Sequence, residues 1–483
     1  MGITSYTFVL AFLPVTLLGW TCLNKKEKYR AADAFLASAS LVFIGSYDYR
    51  FVFMVLTAVC INYWSARYMG MIKEMGWRKA VMALLVLANL GTLVLLKYCN
   101  WFRMLYDSDA VLWKLLVPIG ISFYTLEQIC FIVDTCKSGS MKYSFREYVL
   151  FSAYFPVIVS GPILRHDDFI MQLREKGCRS VSAEKAAEGL TGFCLGMGKK
   201  VIIASWLGKI AALGFDDVES AKSLTMILSV LAYTLQLYFD FSGYCDIVEG
   251  ISSMFGFSLP MNFNSPYKAV SIGDFWKRWH MTLTGFLTKY VYIPLGGSRK
   301  GKIRQYANIF IVFLVSGFWH GASLTYVLWG IMHGICMVAD KIIGKAWLKL
   351  PKAVGKAATF IMVALMWVPF RAESIYDTYM IYWTMVFSDR SVVGDFGKHT
   401  FATVAYICEQ YMGIARDLIV GTQNIVTVMI MLVLLVVVFQ GKNVMEIKKE
   451  SDKKIGMAVL CGIILFVSVL QFQGVGTFIY EGF

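Results

Sequence analysis

Charge is what this chain has least of. Lysine, arginine, aspartate and glutamate make up only 16% of its 483 residues while 58% are hydrophobic, and the mean hydropathy is +0.60. That balance excludes a soluble globular domain and matches a polytopic membrane protein. Proline is scarce, nine residues in all, so few helix breakers interrupt the apolar runs. The eleven cysteines contain no Cys-x-x-Cys pair. Cys60, Cys130, Cys194, Cys336 and Cys461 stand inside apolar segments and read as small hydrophobes, which excludes a disulfide framework or a zinc site. Also absent are a Gly-x-Ser-x-Gly elbow, a His-Glu-x-x-His helix and any histidine pair at metal-ligand spacing. The run Gly196-Met197-Gly198-Lys199-Lys200 lacks the spacing of a phosphate loop, so nucleotide hydrolysis is excluded with metal hydrolysis. No repeat of fixed period and no low-complexity tract occurs.

What is present is a succession of apolar stretches. The first, Ile3 to Leu23, has neither a preceding basic region nor a small-residue cleavage site, and is expected to be a retained span rather than a signal peptide. Others fall near 31–46, 50–66, 79–97, 116–133, 189–213, 223–244, 305–321, 323–341, 357–370, 424–440 and 456–475. Together they predict about twelve transmembrane helices. Lysine and arginine crowd into 25–30, 67–79, 137–146, 165–185, 268–304, 341–356 and 442–454, which fall on one side if the spans alternate. By the positive-inside rule those loops are cytoplasmic, and Met1 and Phe483 lie outside. The net charge of +14 therefore has a topological origin, and a nucleic-acid partner is not expected.

Two regions depart from ordinary spans. Residues 148–164 are apolar but carry Pro156 and Ser160-Gly161-Pro162, which predicts a re-entrant or tilted segment whose unpaired backbone is buried in protein or lines a wet cavity. Residues 245–304 are too polar to cross yet dense in aromatic side chains, as suits a layer of interfacial amphipathic helices.

The candidate chemistry lies in histidine. His320, within Gly317-Phe318-Trp319-His320-Gly321, sits between two apolar runs with no polar linker, so it belongs to a tight turn or helix break inside the protein. Gly317 and Gly321 let backbone or substrate approach the ring, and Trp319 supplies an apolar wall. A buried imidazole stays neutral, and a neutral imidazole serves as a general base. The competing reading is an interhelical hydrogen-bond partner. His280, in Phe275-Trp276-Lys277-Arg278-Trp279-His280, is the second candidate, because proton transfer commonly needs a group that orients or assists the first. His333, on an apolar helix, reads as structural; His166 and His399, in polar loops, carry no signal.

From Val117 to Gly334 the chain resembles the membrane-bound O-acyltransferase family, in the branch similar to the alginate O-acetylation membrane protein. The matching runs are Pro118-Ile119-Gly120-Ile121-Ser122-Phe123-Tyr124-Thr125; Phe155-Pro156 with Ser160-Gly161-Pro162-Ile163; Gln236-Leu237-Tyr238-Phe239-Asp240-Phe241-Ser242-Gly243-Tyr244; Met254-Phe255-Gly256-Phe257 with Asn262-Phe263; Asp274 to His280; Tyr292-Ile293-Pro294-Leu295-Gly296-Gly297; and Gly317 to Gly321. The resemblance implies an all-α polytopic fold around a central funnel. It is expected to divide into N-terminal helices at 1–115, a catalytic core at 116–341 and C-terminal helices at 342–483. It also implies that His320 is required for acyl transfer near the membrane centre and that His280 is a second functional histidine. Trp319, Trp279, Arg278, Asn262, Asn264, Gln236, Asp240 and Tyr244 are the substrate-binding candidates around them.

The implied reaction moves an acyl group, usually acetyl, from a cytoplasmic thioester toward an outside acceptor. The donor is acetyl-CoA or an acyl-carrier thioester, used as co-substrate; no tightly bound cofactor and no metal are expected. The implied partner is an extracytoplasmic SGNH, AlgJ-like acetyltransferase, and the implied location is a bacterial cell membrane. The ending Thr477-Phe478-Ile479-Tyr480-Glu481-Gly482-Phe483 resembles a terminus of this branch whose tyrosine briefly carries the acyl group; the alternative for Tyr480 is an interfacial anchor. Two departures stand out. Leu287-Thr288-Lys289-Tyr290 replaces an Arg-Asp pair usual in relatives, so a carboxylate partner for His280 must come from elsewhere, Asp274 or Asp240. Glu127 replaces a commoner glutamine, as a pore-side proton group or, the favoured reading, a carboxylate paired with a cytoplasmic base. D-alanyl transfer to teichoic acid and a non-enzymatic transporter or scaffold are the other functions weighed.

Overall fold

The structure is a computed structural model and describes residues 1–107, 112–347, 349–391, 396–400, 416–450 and 455–472, together with 402 and 409. Every regular element among the described residues is helical. In hydrocarbon no water replaces a missing backbone bond, and a helix satisfies its own. Each of the twelve apolar stretches overlaps a helix among the described residues, for example Tyr29–Gly45, Tyr49–Met71, Ile121–Ser138, Lys302–His320 and Leu324–Trp347. Among the described residues seven helical stretches are long and apolar enough to cross a bilayer: Phe8–Lys25, Met75–Tyr106, Ala183–Phe215, Ser223–Met254, Leu324–Gly344, Lys352–Arg371 and Ile419–Gln440. Their exposed apolar side chains, Leu84, Leu87, Leu95, Val433 and Val436 for example, are the surface such a chain presents to lipid.

The helix Ser223–Met254 is ten residues longer than its apolar run. Residues 245–254 therefore belong to a helix and not to the interfacial layer expected from 245 onward. Polar groups there are met inside the protein: Glu249 takes a salt bridge from Lys448. One further helix, Ile375–Phe387, follows the stretch at 357–370.

The chain divides into two compact units. The first comprises Met1–Met197, Tyr244–Met261 and Lys448–Phe483. Within it, residues 154–165 run as irregular backbone between the helices Phe145–Ala153 and His166–Arg174, almost wholly buried. Its amides find partners within the protein: Phe155 N–H donates to Ser40 Oγ at 3.2 Å and Leu164 N–H to Glu127 Oε1 at 3.0 Å. Gly120, with φ +72°, lies under this segment, and a Cβ there would come within 1.8 Å of the Ile158 carbonyl oxygen. Two sequence readings change here. Glu127 is buried and bonded to a backbone amide, and among the described residues no cation pairs with it. His166, expected in a polar loop, is 4% exposed, its Nδ1 3.0 Å from the Tyr143 hydroxyl.

The second unit comprises Gly198–Gly243 and Asn262–Ile447 and holds both candidate histidines. Its helices Lys302–His320 and Leu324–Trp347 form a hairpin joined by three residues. Gly317 and Gly330 face one another across it: a Cβ on Gly317 would lie 2.4 Å from the Tyr326 carbonyl oxygen, and one on Gly330 would lie 2.6 Å from that of Phe313. Small residues are what allow two helix backbones to approach so closely.

Candidate active site

His320 is the last residue of the helix Lys302–His320, with Gly321 as its extended C-cap. The helix break expected from the sequence is thus present, and the reason for the flanking glycines is specific. A Cβ on Gly321 would meet the Tyr326 ring at 2.2 Å, so both glycines make room for the second helix of the hairpin. The imidazole is 3% exposed and walled by aromatic rings. Trp319 lies 4.9 Å away between centroids, Trp329 4.9 Å in an edge-on arrangement at 85°, and Phe370 5.1 Å.

His280 reaches the same wall from a loop. It caps the short helix Met281–Leu287 with φ 44° and ψ 52°, a left-handed conformation that costs a residue with a Cβ about 1–2 kcal/mol. Strain of that sort persists only where surroundings over-determine it. Here Asn262 does so: its backbone carbonyl accepts from Met281 N–H at 2.9 Å. Its side-chain Oδ1 accepts from Thr282 N–H at 3.2 Å and Thr282 Oγ1 at 3.0 Å, and lies 3.1 Å from His280 Nδ1. An amide oxygen only accepts, so Nδ1 carries the proton and Nε2 is the basic nitrogen of the neutral ring. Burial pushes this imidazole well below its usual range, to about 3, because a low-dielectric surrounding penalises the cation.

The side chain that meets His280 Nδ1 is thus the amide of Asn262. Asp274 instead pairs with Arg278 at 2.9 Å, and Asp240 forms a buried salt bridge with Lys200. Each carboxylate follows the nearest full positive charge, which outbids a neutral imidazole.

The two histidines bracket one indole. Trp319 is 6.3 Å from the His280 ring and 4.9 Å from the His320 ring, between centroids. Phe241 closes the other side of His280 at 4.9 Å. Of the remaining candidates, Trp279 is 1% exposed and packs on Phe263 and Trp367 at 4.9 and 5.0 Å, a core position. Arg278 and Asn264 support the loop: Asn264 N–H donates to the Arg278 carbonyl at 2.9 Å, and Asn443 Nδ2 donates to Asn264 Oδ1 at 3.3 Å. Gln236 Oε1 accepts from Arg371 at 3.2 Å. Tyr244 is buried and falls in the first unit. Tyr480 lies outside the described residues.

His333 reads as structural in the sequence, and Trp329 is not among its candidates. His333 is fully buried; Trp276 Nε1–H donates to its Nδ1 at 3.2 Å. Its ring lies 4.8 Å from Trp329. Trp329 Nε1 and His333 Nε2 are both buried polar atoms with no hydrogen-bond partner among the described residues. Each such atom costs about 1–3 kcal/mol when left unpaired. The available signal was their spacing: positions 329 and 333 are one turn apart on an otherwise apolar helix.

The family model described as MBOAT, membrane-bound O-acyltransferase family, matches residues 52–380. The chain belongs to this family. It is 35% identical over 402 residues to the peptidoglycan O-acetyltransferase of Helicobacter pylori, covering 76% of each chain. It is 36% identical over 399 residues to the probable alginate O-acetylase AlgI of Pseudomonas aeruginosa, covering 80% of this chain and 75% of the relative. A more distant likeness, 29% over 228 residues, links 45% of the chain to 58% of the teichoic acid D-alanyltransferase of Bacillus subtilis. The protein is accordingly a multi-pass membrane acyltransferase with relatives named for O-acetylation.

Proposed function

We propose that this acyltransferase takes an acetyl group from a cytoplasmic thioester, acetyl-CoA or an acyl-carrier thioester, and delivers it across the bacterial cell membrane for O-acetylation of a cell-surface or exported polysaccharide. The observation that carries the reading is the arrangement of His280 and His320 on either side of Trp319. His320 is the general base: its buried neutral imidazole takes the proton of an acceptor hydroxyl as that oxygen attacks the thioester carbonyl. His280, its tautomer fixed by Asn262, assists from across the indole. Tyr480 is the first acceptor and passes the acetyl group to an extracytoplasmic SGNH-type acetyltransferase; the distribution of lysine and arginine, read by the positive-inside rule with the C-terminus outside, supports this.

Proteoliposomes with a labelled acetyl thioester confined to the cytoplasmic side test this proposal. Label is expected on a soluble acceptor on the opposite side with the wild-type protein and not with His320→Ala. Intact mass of the protein alone with donor should show one added acetyl group, lost in Tyr480→Phe. Label that stays on the donor side, or an equal yield from His320→Ala, contradicts the reading; D-alanyl thioester consumed in preference to acetyl thioester replaces the cargo.

A further inference from the structure

We propose that the indole N–H of Trp329 and the Nε2–H of His333 form the donor pair that receives the acyl carbonyl oxygen during transfer. The inference rests on the reading of His320 as the base of an acyl-transfer site and names the groups that stabilise the charge opposite it.

Three observations converge on these atoms. Trp329 Nε1 and His333 Nε2 are fully buried polar atoms without a partner among the described residues. The two residues stand one turn apart on the helix Leu324–Trp347, so they share a face, with their rings 4.8 Å apart. Trp329 is also in direct contact with the base, 4.9 Å from His320 between ring centroids. The protonation of His333 follows from its other contact. An indole N–H only donates, so the 3.2 Å bond from Trp276 makes Nδ1 the acceptor, and the neutral ring then carries its hydrogen on Nε2. Both groups are therefore donors at a depth where water does not compete.

The chemistry needs such donors. As the acceptor hydroxyl oxygen bonds to the thioester carbon, its proton passes to His320 and the carbonyl π pair moves onto oxygen. The resulting tetrahedral oxyanion collapses, the C=O bond re-forms, and the C–S bond breaks with its electron pair on sulfur, which takes the proton back from the imidazolium. The negative charge on oxygen exists only during transfer. Fixed donors with no partner among the described residues are pre-organised for it and give up no bond there when it develops. His333 is held for this task through Trp276, the last residue of the short helix Ile272–Trp276 four residues before His280, so a hydrogen bond ties the two histidine-bearing segments together.

The test is single-turnover transfer from acetyl-CoA and from S-acetyl pantetheine by the full chain in proteoliposomes. Replacement of Trp329 by its isosteric sulfur analogue benzothienylalanine removes the N–H and keeps the bicyclic ring, whereas Trp329→Phe removes the N–H together with part of a fully buried ring. Benzothienylalanine is expected to lower the single-turnover rate constant by about 10²–10³-fold with the half-saturating donor concentration within about threefold of wild type and an unchanged thermal midpoint; Trp329→Phe should lose rate similarly and also lose stability. His333→Gln, which retains an acceptor for Trp276 and an N–H, should keep more activity than His333→Leu. Benzothienylalanine at 329 turning over within about threefold of wild type overturns the proposal. So does a lower yield of folded protein with normal turnover per folded molecule. His320→Ala, measured in parallel, separates the two claims. If it is inactive while the Trp329 variants are normal, only the donor pair fails; if it is active, the reading of the site itself fails.

Discussion

Replacing Asn262 by alanine removes the acceptor that organises the His280 loop, and the structure sets the size of the effect. The Asn262 side chain serves Thr282 N–H, the Thr282 hydroxyl and His280 Nδ1. The hydroxyl can rotate to another acceptor, but the Thr282 amide and the imidazole N–H are fixed. These two donors, the imidazole buried and the Thr282 amide partly so, at about 1–3 kcal/mol each when deprived of this acceptor, give a destabilisation of about 2–6 kcal/mol. The backbone bond from Met281 to the Asn262 carbonyl survives the substitution, so the loop stays in place while His280 is freed to change tautomer. Turnover is expected to fall about a hundredfold, the low end for loss of a positioned acid–base group. Asn262→Asp should keep the geometry and favour imidazolium, giving a protein nearer wild type in thermal midpoint than in rate. Thermal unfolding of the detergent-solubilised protein and single-turnover acetyl transfer are the two assays. An alanine variant with wild-type midpoint and a rate within about threefold of wild type would refute the reasoning.

Other expectations follow from the same geometry. His280 is held near pKa 3 in the folded protein against about 6.5 unfolded. Between those values the unfolded chain binds the extra proton, so stability must decline as pH falls from about 6.5 toward 3, by up to about 1.4 kcal/mol per pH unit. Thermal midpoints from pH 8 to 4 should show that slope, shallower in His280→Gln; an identical slope in both would remove His280 as its cause. Gly317→Ala places a methyl group 2.4 Å from the Tyr326 carbonyl oxygen, whereas at Gly344 of the neighbouring helix a Cβ meets nothing within 4 Å. The first should destabilise by about 1–3 kcal/mol and the second should not, and equal midpoints for the two variants would contradict the close-packed hairpin. Lys200→Met breaks a buried ion pair with Asp240 and should cost about 3–5 kcal/mol. Lys200→Met with Asp240→Leu should recover most of that; a double variant no better than the single one would show that the pair is not what matters.

Much of this architecture was legible in the sequence, for a physical reason. Hydrocarbon imposes one demand on every span, so apolar runs alone placed helices such as Tyr29–Gly45 and Lys302–His320. The break at His320 was visible in two glycines and a missing polar linker. What could not be read depended on which polar groups meet in three dimensions. The helix Ser223–Met254 outruns its apolar stretch because Glu249 finds Lys448, almost two hundred residues away in sequence. The partner of His280 was sought in Asp274 or Asp240 because Leu287-Thr288-Lys289-Tyr290 lacks the Arg-Asp pair usual in relatives; Asp274 pairs with Arg278 and Asp240 with Lys200. Glu127 was assigned a basic partner on charge alone, and the irregular backbone at Leu164 provides the donor instead. Trp329 went unnoticed and His333 read as structural because an apolar helix is full of residues that merely pack, and only the packed structure shows which donors lack acceptors among the described residues.

The claim on which the rest depends is that the His320 imidazole takes the proton in acyl transfer. Its most direct measurement is the single-turnover rate of acetyl transfer by His320→Ala, with and without added imidazole. The account predicts a loss of about 10²–10⁴-fold, partly restored by imidazole, in a protein that elutes and melts like wild type. A folded variant that transfers acetyl at the wild-type rate would contradict it.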